Sequence, residues 1–194
     1  MKRIASILLA VAIGAAALAQ ENPLTKSSVG DWAKYLVTTK NETVPLMSSK
    51  DQPKWRALSN VTNEFVRIDS YVMFSGRRSG AGGTLSYFKD RYEPIMGIVK
   101  SAKVEVTSST KETLTIKGKQ YSCNKIVRKI NQPLDEANVV SSWIGTSTIW
   151  VCTDLPLRLA RMENVYETRL SKSDKGQKIG ETWVLDDFGF KNWK

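Results

Sequence analysis

Cys123 and Cys152 are the only two cysteines in the chain, and there is no histidine at all. That pairing of facts decides much of the possible chemistry. Without imidazole, Ser-His-Asp and Cys-His nucleophilic sites are excluded, and so are His-ligated zinc centres. Two thiols cannot supply a four-thiolate zinc site. Neither cysteine lies in a C-x-x-C pair, and there is no His to activate a thiolate. An even cysteine count in an exported chain predicts a structural disulfide. Closing a loop of 29 residues, it contributes about 3.5 kcal/mol on the chain-entropy model.

The carboxylates are scattered. Asp186 and Asp187 are adjacent in a strand-like stretch, so they point to opposite faces and cannot act as an acid/base pair. Asp135 and Glu136 sit in a loop. Glu64 and Asp69 flank Arg67, a pattern that reads as surface ion pairing, with a cleft lined by the three as the alternative. This inventory argues against an enzyme, leaving only a glycosidase with two remote carboxylates as an alternative. The glycine-rich stretch "GRRSGAGG" has no G-K-[ST] and no following helix, so it is not a P-loop. Arg77 and Arg78 with backbone N–H groups make it a candidate anion site, with a plain hairpin tip as the alternative. No cofactor and no metal are implied.

The elements that position these residues begin after a leader. "MKRIASILLAVAIGAAALA" has a basic start, a short Ala-rich apolar run and an A-x-A ending, the layout of a secretory signal peptide over residues 1–19. Export to the periplasm or the medium is expected. Residues 20–194 then form one domain, long enough for a real core. No later segment is long and apolar enough to span a bilayer. The sequons at Asn41 and Asn60 matter only in a eukaryotic secretory route. The chain carries 29 Lys and Arg against 19 Asp and Glu; without Lys2 and Arg3 the surplus is +8. Such a surface favours anionic partners, lipid head groups or other envelope components, and not nucleic acid in an exported protein.

The mature chain reads as strands. "VGDWAKYLVTT" alternates, and "VPLM" is a short strand candidate. "DQPKWRALSN", with Pro53, reads as loop or a single helical turn. "NEFVRIDSYVMFS" places Val66, Ile68, Val72 and Phe74 on one face and Phe65, Arg67, Asp69, Tyr71 and Met73 on the other. "TLSYF" returns as its partner across a wide basic loop. "AKVEVTSS" and "ETLTI" read as separate strands, the second turning at "KGK" into "KQYSCNKIV". "TSTIWVC", "LRLARMENVYETRL" and "GETWVLDDFG" complete the series. In "TIWVC" both faces are apolar, so this strand is expected to be covered on both sides, with Pro156 kinking the chain after it. No segment outside the leader has helical periodicity. The fold class is mainly β, a strongly curved antiparallel sheet (half-barrel, barrel or sandwich) with little helix.

"GDWAKY", "KGKQYSCNKIV", "STIWVCTDLPLRLARME" and "WVLDDFG" resemble a pattern in exported bacterial proteins of uncharacterised function. Trp150 followed by "TDLPLRL" is also similar to the Trp-strand and Pro-hairpin of LolA-like lipoprotein carriers and related periplasmic lipid binders. That resemblance implies a curved antiparallel sheet sheltering an acyl chain. One departure is that the carriers pack helices against the sheet, and none is expected here. The resulting expectation is an exported binding protein for a lipid or other apolar ligand. Its candidate contacts are Phe65, Tyr71, Met73, Trp150, Leu157 and Leu159. The alternative is an envelope module with a filled core and a basic surface.

Overall fold

Period-two alternation and tight turns dictate the architecture. The computed structural model describes residues 22–62, 65–74, 77–88, 102–138 and 140–191, without the side chains of 72–88. The expected leader and Glu64 lie outside the described residues.

Among the described residues nine strands run in chain order: β1 Trp32–Asn41, β2 Ser49–Val61, β3 Phe65–Phe74, β4 Arg77–Phe88, β5 Lys103–Ile116, β6 Lys119–Gln132, β7 Trp143–Val151, β8 Leu159–Thr168 and β9 Gln177–Gly189. They form one antiparallel sheet of order β4-β3-β2-β1-β9-β8-β7-β6-β5. Two meanders, β1–β4 and β5–β9, are thus joined edge to edge by the pairing of β1 with β9. The sheet curls strongly into a half-barrel. Contacts between strands that are not neighbours in the order show the curl. Tyr35 of β1 donates its hydroxyl to the Leu159 carbonyl of β8 at 3.1 Å. Tyr121 of β6 meets Phe188 of β9 edge-on at 6.2 Å. Lys117, in the β5–β6 turn, pairs with Asp187 of β9. No helix among the described residues is long and apolar enough to cross a membrane.

The disulfide joins Cys123 to Cys152, 29 residues apart, with Cα atoms 4.3 Å from each other. It lies one step past the last β6–β7 register pair, Asn124 with Val151. It therefore clamps the end of that pair opposite its connecting loop. Just beyond, residues 153–158 fold inward as a plug, with Leu155, Pro156 and Leu157 buried. Leu24, on a short 3-10 turn at Pro23–Lys26, belongs to the same core. Ser27 Oγ donates to the Pro156 carbonyl at 2.6 Å, and Arg158 Nη2 to the Lys26 carbonyl at 2.8 Å. As expected, Ile149, Trp150, Val151 and Cys152 are all buried, so this strand is covered on both sides. Leu157 lies in the plug and not in a strand, because Arg158 at φ 60° breaks the extension before β8 begins.

Four local expectations are corrected. "VPLM" forms a 3-10 turn at Pro45–Met47, since Pro presets φ for a first turn. "DQPKWRALSN" is part of β2. Pro53 is tolerated because the described β3 register begins only at Trp55, leaving Pro53 where β1 alone is its partner. "AKVEVTSS" and "ETLTI" are one strand, β5, carried through by a bulge between Val106 and Ser108. "GRRSGAGG" is not a wide loop: Arg77 and Arg78 open β4, an end strand of the sheet. Its register against β3 breaks twice around Tyr71, which is how a glycine-rich strand stays paired. The β5–β6 turn falls where expected, with Lys117 and Gly118 both at positive φ, as a two-residue hairpin of the right twist requires.

Candidate functional site

The buried face of the sheet is built in rows, because cross-strand register aligns one residue from each strand. One row is apolar: Ile126, Ile149, Met162, Trp183 and Val37. The next is polar: Arg128, Ser147, Asn164, Glu181 and Thr39. A third runs Ile130, Gly145, Tyr166, Ile179 and Asn41. A polar stripe thus crosses the inside of the curl between two largely apolar ones.

The stripe is deep at one end. Arg128, Ser147 and Asn164 are 3%, 0% and 1% exposed. Arg128 Nη2 donates to Ser147 Oγ at 3.0 Å. Asn164 is different: neither its Oδ1 nor its Nδ2 has a hydrogen-bond partner among the described residues. Leaving a buried polar atom unpaired costs about 1–3 kcal/mol. The Nε1–H groups of Trp143 and Trp183, around the same rows, are likewise unpartnered. Towards β9, β1 and β2 the face is less covered, with Tyr166, Ile179, Glu181, Thr39 and Lys54 half-buried.

Three titratable groups interact there. Burial, first of all, holds the Lys54 ammonium below the usual lysine range; Glu181 opposes this and Arg56 adds to it. Burial also pushes the Tyr166 phenol upward, and Glu181 pushes it further. Lys54 Nζ and Arg56 Cζ lie 5.0 and 5.2 Å from the Trp183 ring centre. Tyr166 stacks on Trp143 at 4.6 Å with planes 18° apart. Lys54, Glu181, Thr39 and Tyr166 therefore line a partly open surface, with the Asn164 amide buried beside it. That mixture orients a ligand through a few polar contacts while apolar walls supply area.

Of the residues singled out from sequence, Cys123 and Cys152 are joined, and the candidate ligand contacts are split between two parts of the sheet. Phe65 and Tyr71 sit on β3, five steps along the sheet order from β7. Tyr71 is buried and donates to Asp69 Oδ2 at 3.2 Å. The side chains of Met73, Arg77 and Arg78 lie outside the described set. Trp150, Leu157 and Leu159 belong to the core cluster. Trp150 faces away from the rows, its ring between Lys125 Nζ and Arg161 Cζ, each 5.1 Å from the centre. Asp186 pairs with Lys34 at 2.6 Å and Asp187 with Lys117, so each carboxylate has its own lysine. The polar row was missed because its members from Arg128 to Glu181 are separated by 17 to 19 residues, Thr39 lies far off in sequence, and all align only through register.

No family model matches this chain, and no curated protein or solved structure does.

Proposed function

We propose that this is an exported binding protein that holds an amphipathic ligand against the inside of the curl. Its apolar part would lie along the half-buried Tyr166 and Ile179. Its polar head would meet Asn164, Lys54 and Glu181. The observation that carries the reading is the unpaired Asn164 amide, buried between two apolar rows. A folded protein rarely keeps such a group without a partner, and a ligand head group is a partner of the right kind. The carboxylates outside the stripe support binding over catalysis, since Glu112, Glu163, Glu167, Asp186 and Asp187 each face a cation.

A second reading is an envelope module with a filled core, favoured by the near-complete burial of Arg128 and Ser147. Native mass spectrometry of protein purified from its host separates the two. A co-purifying small amphiphile, lost in Asn164→Leu, supports the ligand. A clean apo mass, with no uptake of a fluorescent fatty acid or lysolipid by wild type, supports the filled core and removes the ligand.

A further inference from the structure

The hairpin between β1 and β2 presents apolar side chains to solvent on a frame that fixes them there. Asn41, buried at the end of β1, holds the frame. Its Oδ1 accepts from the Thr43 and Val44 N–H groups at 3.0 and 2.7 Å. Its own N–H donates to Ser48 Oγ at 3.0 Å, and its Nδ2 to Gln177 Oε1 at 2.9 Å. The Glu42 N–H donates to the Lys178 carbonyl at 2.9 Å, and the Lys178 N–H to Thr43 Oγ1 at 3.0 Å. On this frame Leu46 is 99% and Met47 62% exposed. The β8–β9 loop, at the same end of the sheet, adds Leu170 at 74%.

Charge surrounds the tips. Lys40, Lys50, Lys172 and Lys175 are exposed there, and none of them forms an ion pair among the described residues. The acids of these loops are engaged instead. Glu42 pairs with Lys178 and Glu167 with Arg169. Asp174 accepts from the Leu170 and Gly176 N–H groups, and Glu136 from the Lys172 N–H. A single exposed leucine needs no explanation. A rigid apolar tip rimmed by unpaired lysines combines apolar insertion with a basic patch, the two signals that stable membrane anchoring takes.

We propose that this end of the molecule docks on an anionic lipid surface. Leu46 and Met47 enter the head-group/acyl boundary, and Lys40 and Lys50 meet anionic head groups. This surface is separate from the inner stripe, so it stands or falls independently of the bound ligand. The test is co-sedimentation of the mature chain with vesicles of equal parts phosphatidylcholine and phosphatidylglycerol, and with phosphatidylcholine alone, at low salt. Wild type should partition onto the anionic vesicles and be released by salt. Leu46→Gln with Met47→Gln should weaken partitioning at least tenfold at unchanged melting temperature, because these side chains support no core. Lys40→Gln with Lys50→Gln should weaken it roughly thirtyfold, at about 1 kcal/mol per lysine. Asn164→Leu should bind vesicles as wild type does. Failure of wild type to sediment, or equal binding by the Leu46/Met47 variant, overturns the proposal. So does a self-association lost in that variant without any vesicle binding.

Discussion

Asn164 is where stability and binding are expected to pull apart. In the free protein its amide is a cost, so Asn164→Leu, similar in volume, should stabilise by about 1–3 kcal/mol in chemical denaturation. The same change should abolish ligand retention. Loss of stability would mean that the amide is satisfied in the free state. Glu181 gives a second residue-scale test, because it raises the pKa of both Lys54 and Tyr166. Glu181→Gln should lower both, and the Tyr166 phenolate absorbance should appear at a lower pH than in wild type. The two groups act oppositely on stability. With its pKa depressed on folding, Lys54 makes the unfolded chain bind more protons, so its contribution rises with pH up to about 10.4. With its pKa raised, Tyr166 makes the folded chain bind more protons, so its contribution falls with pH above about 10. Lys54→Met should therefore flatten the rise and leave the alkaline fall in place.

At the scale of elements, close strand approach is the point of sensitivity. A Cβ on Gly145 of β7 would lie 2.1 Å from the Val165 carbonyl and 2.6 Å from the Tyr166 Cα of β8. These are backbone atoms and cannot step aside, so Gly145→Ala should cost about 3 kcal/mol and lower the melting temperature. Replacing both cysteines with alanine should cost about 3.5 kcal/mol at most, because the bridge closes one loop between strands that already pair. Strands with clean alternation were legible in sequence: β1, β3 and the β7–β9 series all appear close to where periodicity places them. β2 and β4 were not, for different reasons. Pro53 signals a break, yet the described sheet leaves it facing one partner only. The glycines after Arg78 signal a loop, yet an end strand with bulges accommodates them. The site was less legible still. A sequence shows which residues alternate along one strand, but not which residue of the next strand lies beside them. Arg128, Ser147, Asn164 and Glu181 form a row only after register has been set.

At the scale of the molecule, the curl rests on one long-range seam. β1 and β9 stand at opposite ends of the chain, and their pairing alone joins the two meanders within the sheet order. Deleting residues from 177 onward should therefore remove more than one strand's worth of structure. Both remaining meanders would expose a fresh edge, and the Tyr35, Val37 and Met162 side chains would lose Trp183 and Leu185 as core neighbours. Far-UV circular dichroism of the truncated chain should show loss of the cooperative transition. A truncated chain that still melts as one unit would show that the seam is dispensable.

The β1–β9 seam has a consequence for the order of assembly. A nascent polypeptide that has not yet released β9 has no way to zip its two meanders together, so neither is finished until that strand emerges. Closing that seam pairs residues far apart in sequence, so it is expected to be the slow step of folding.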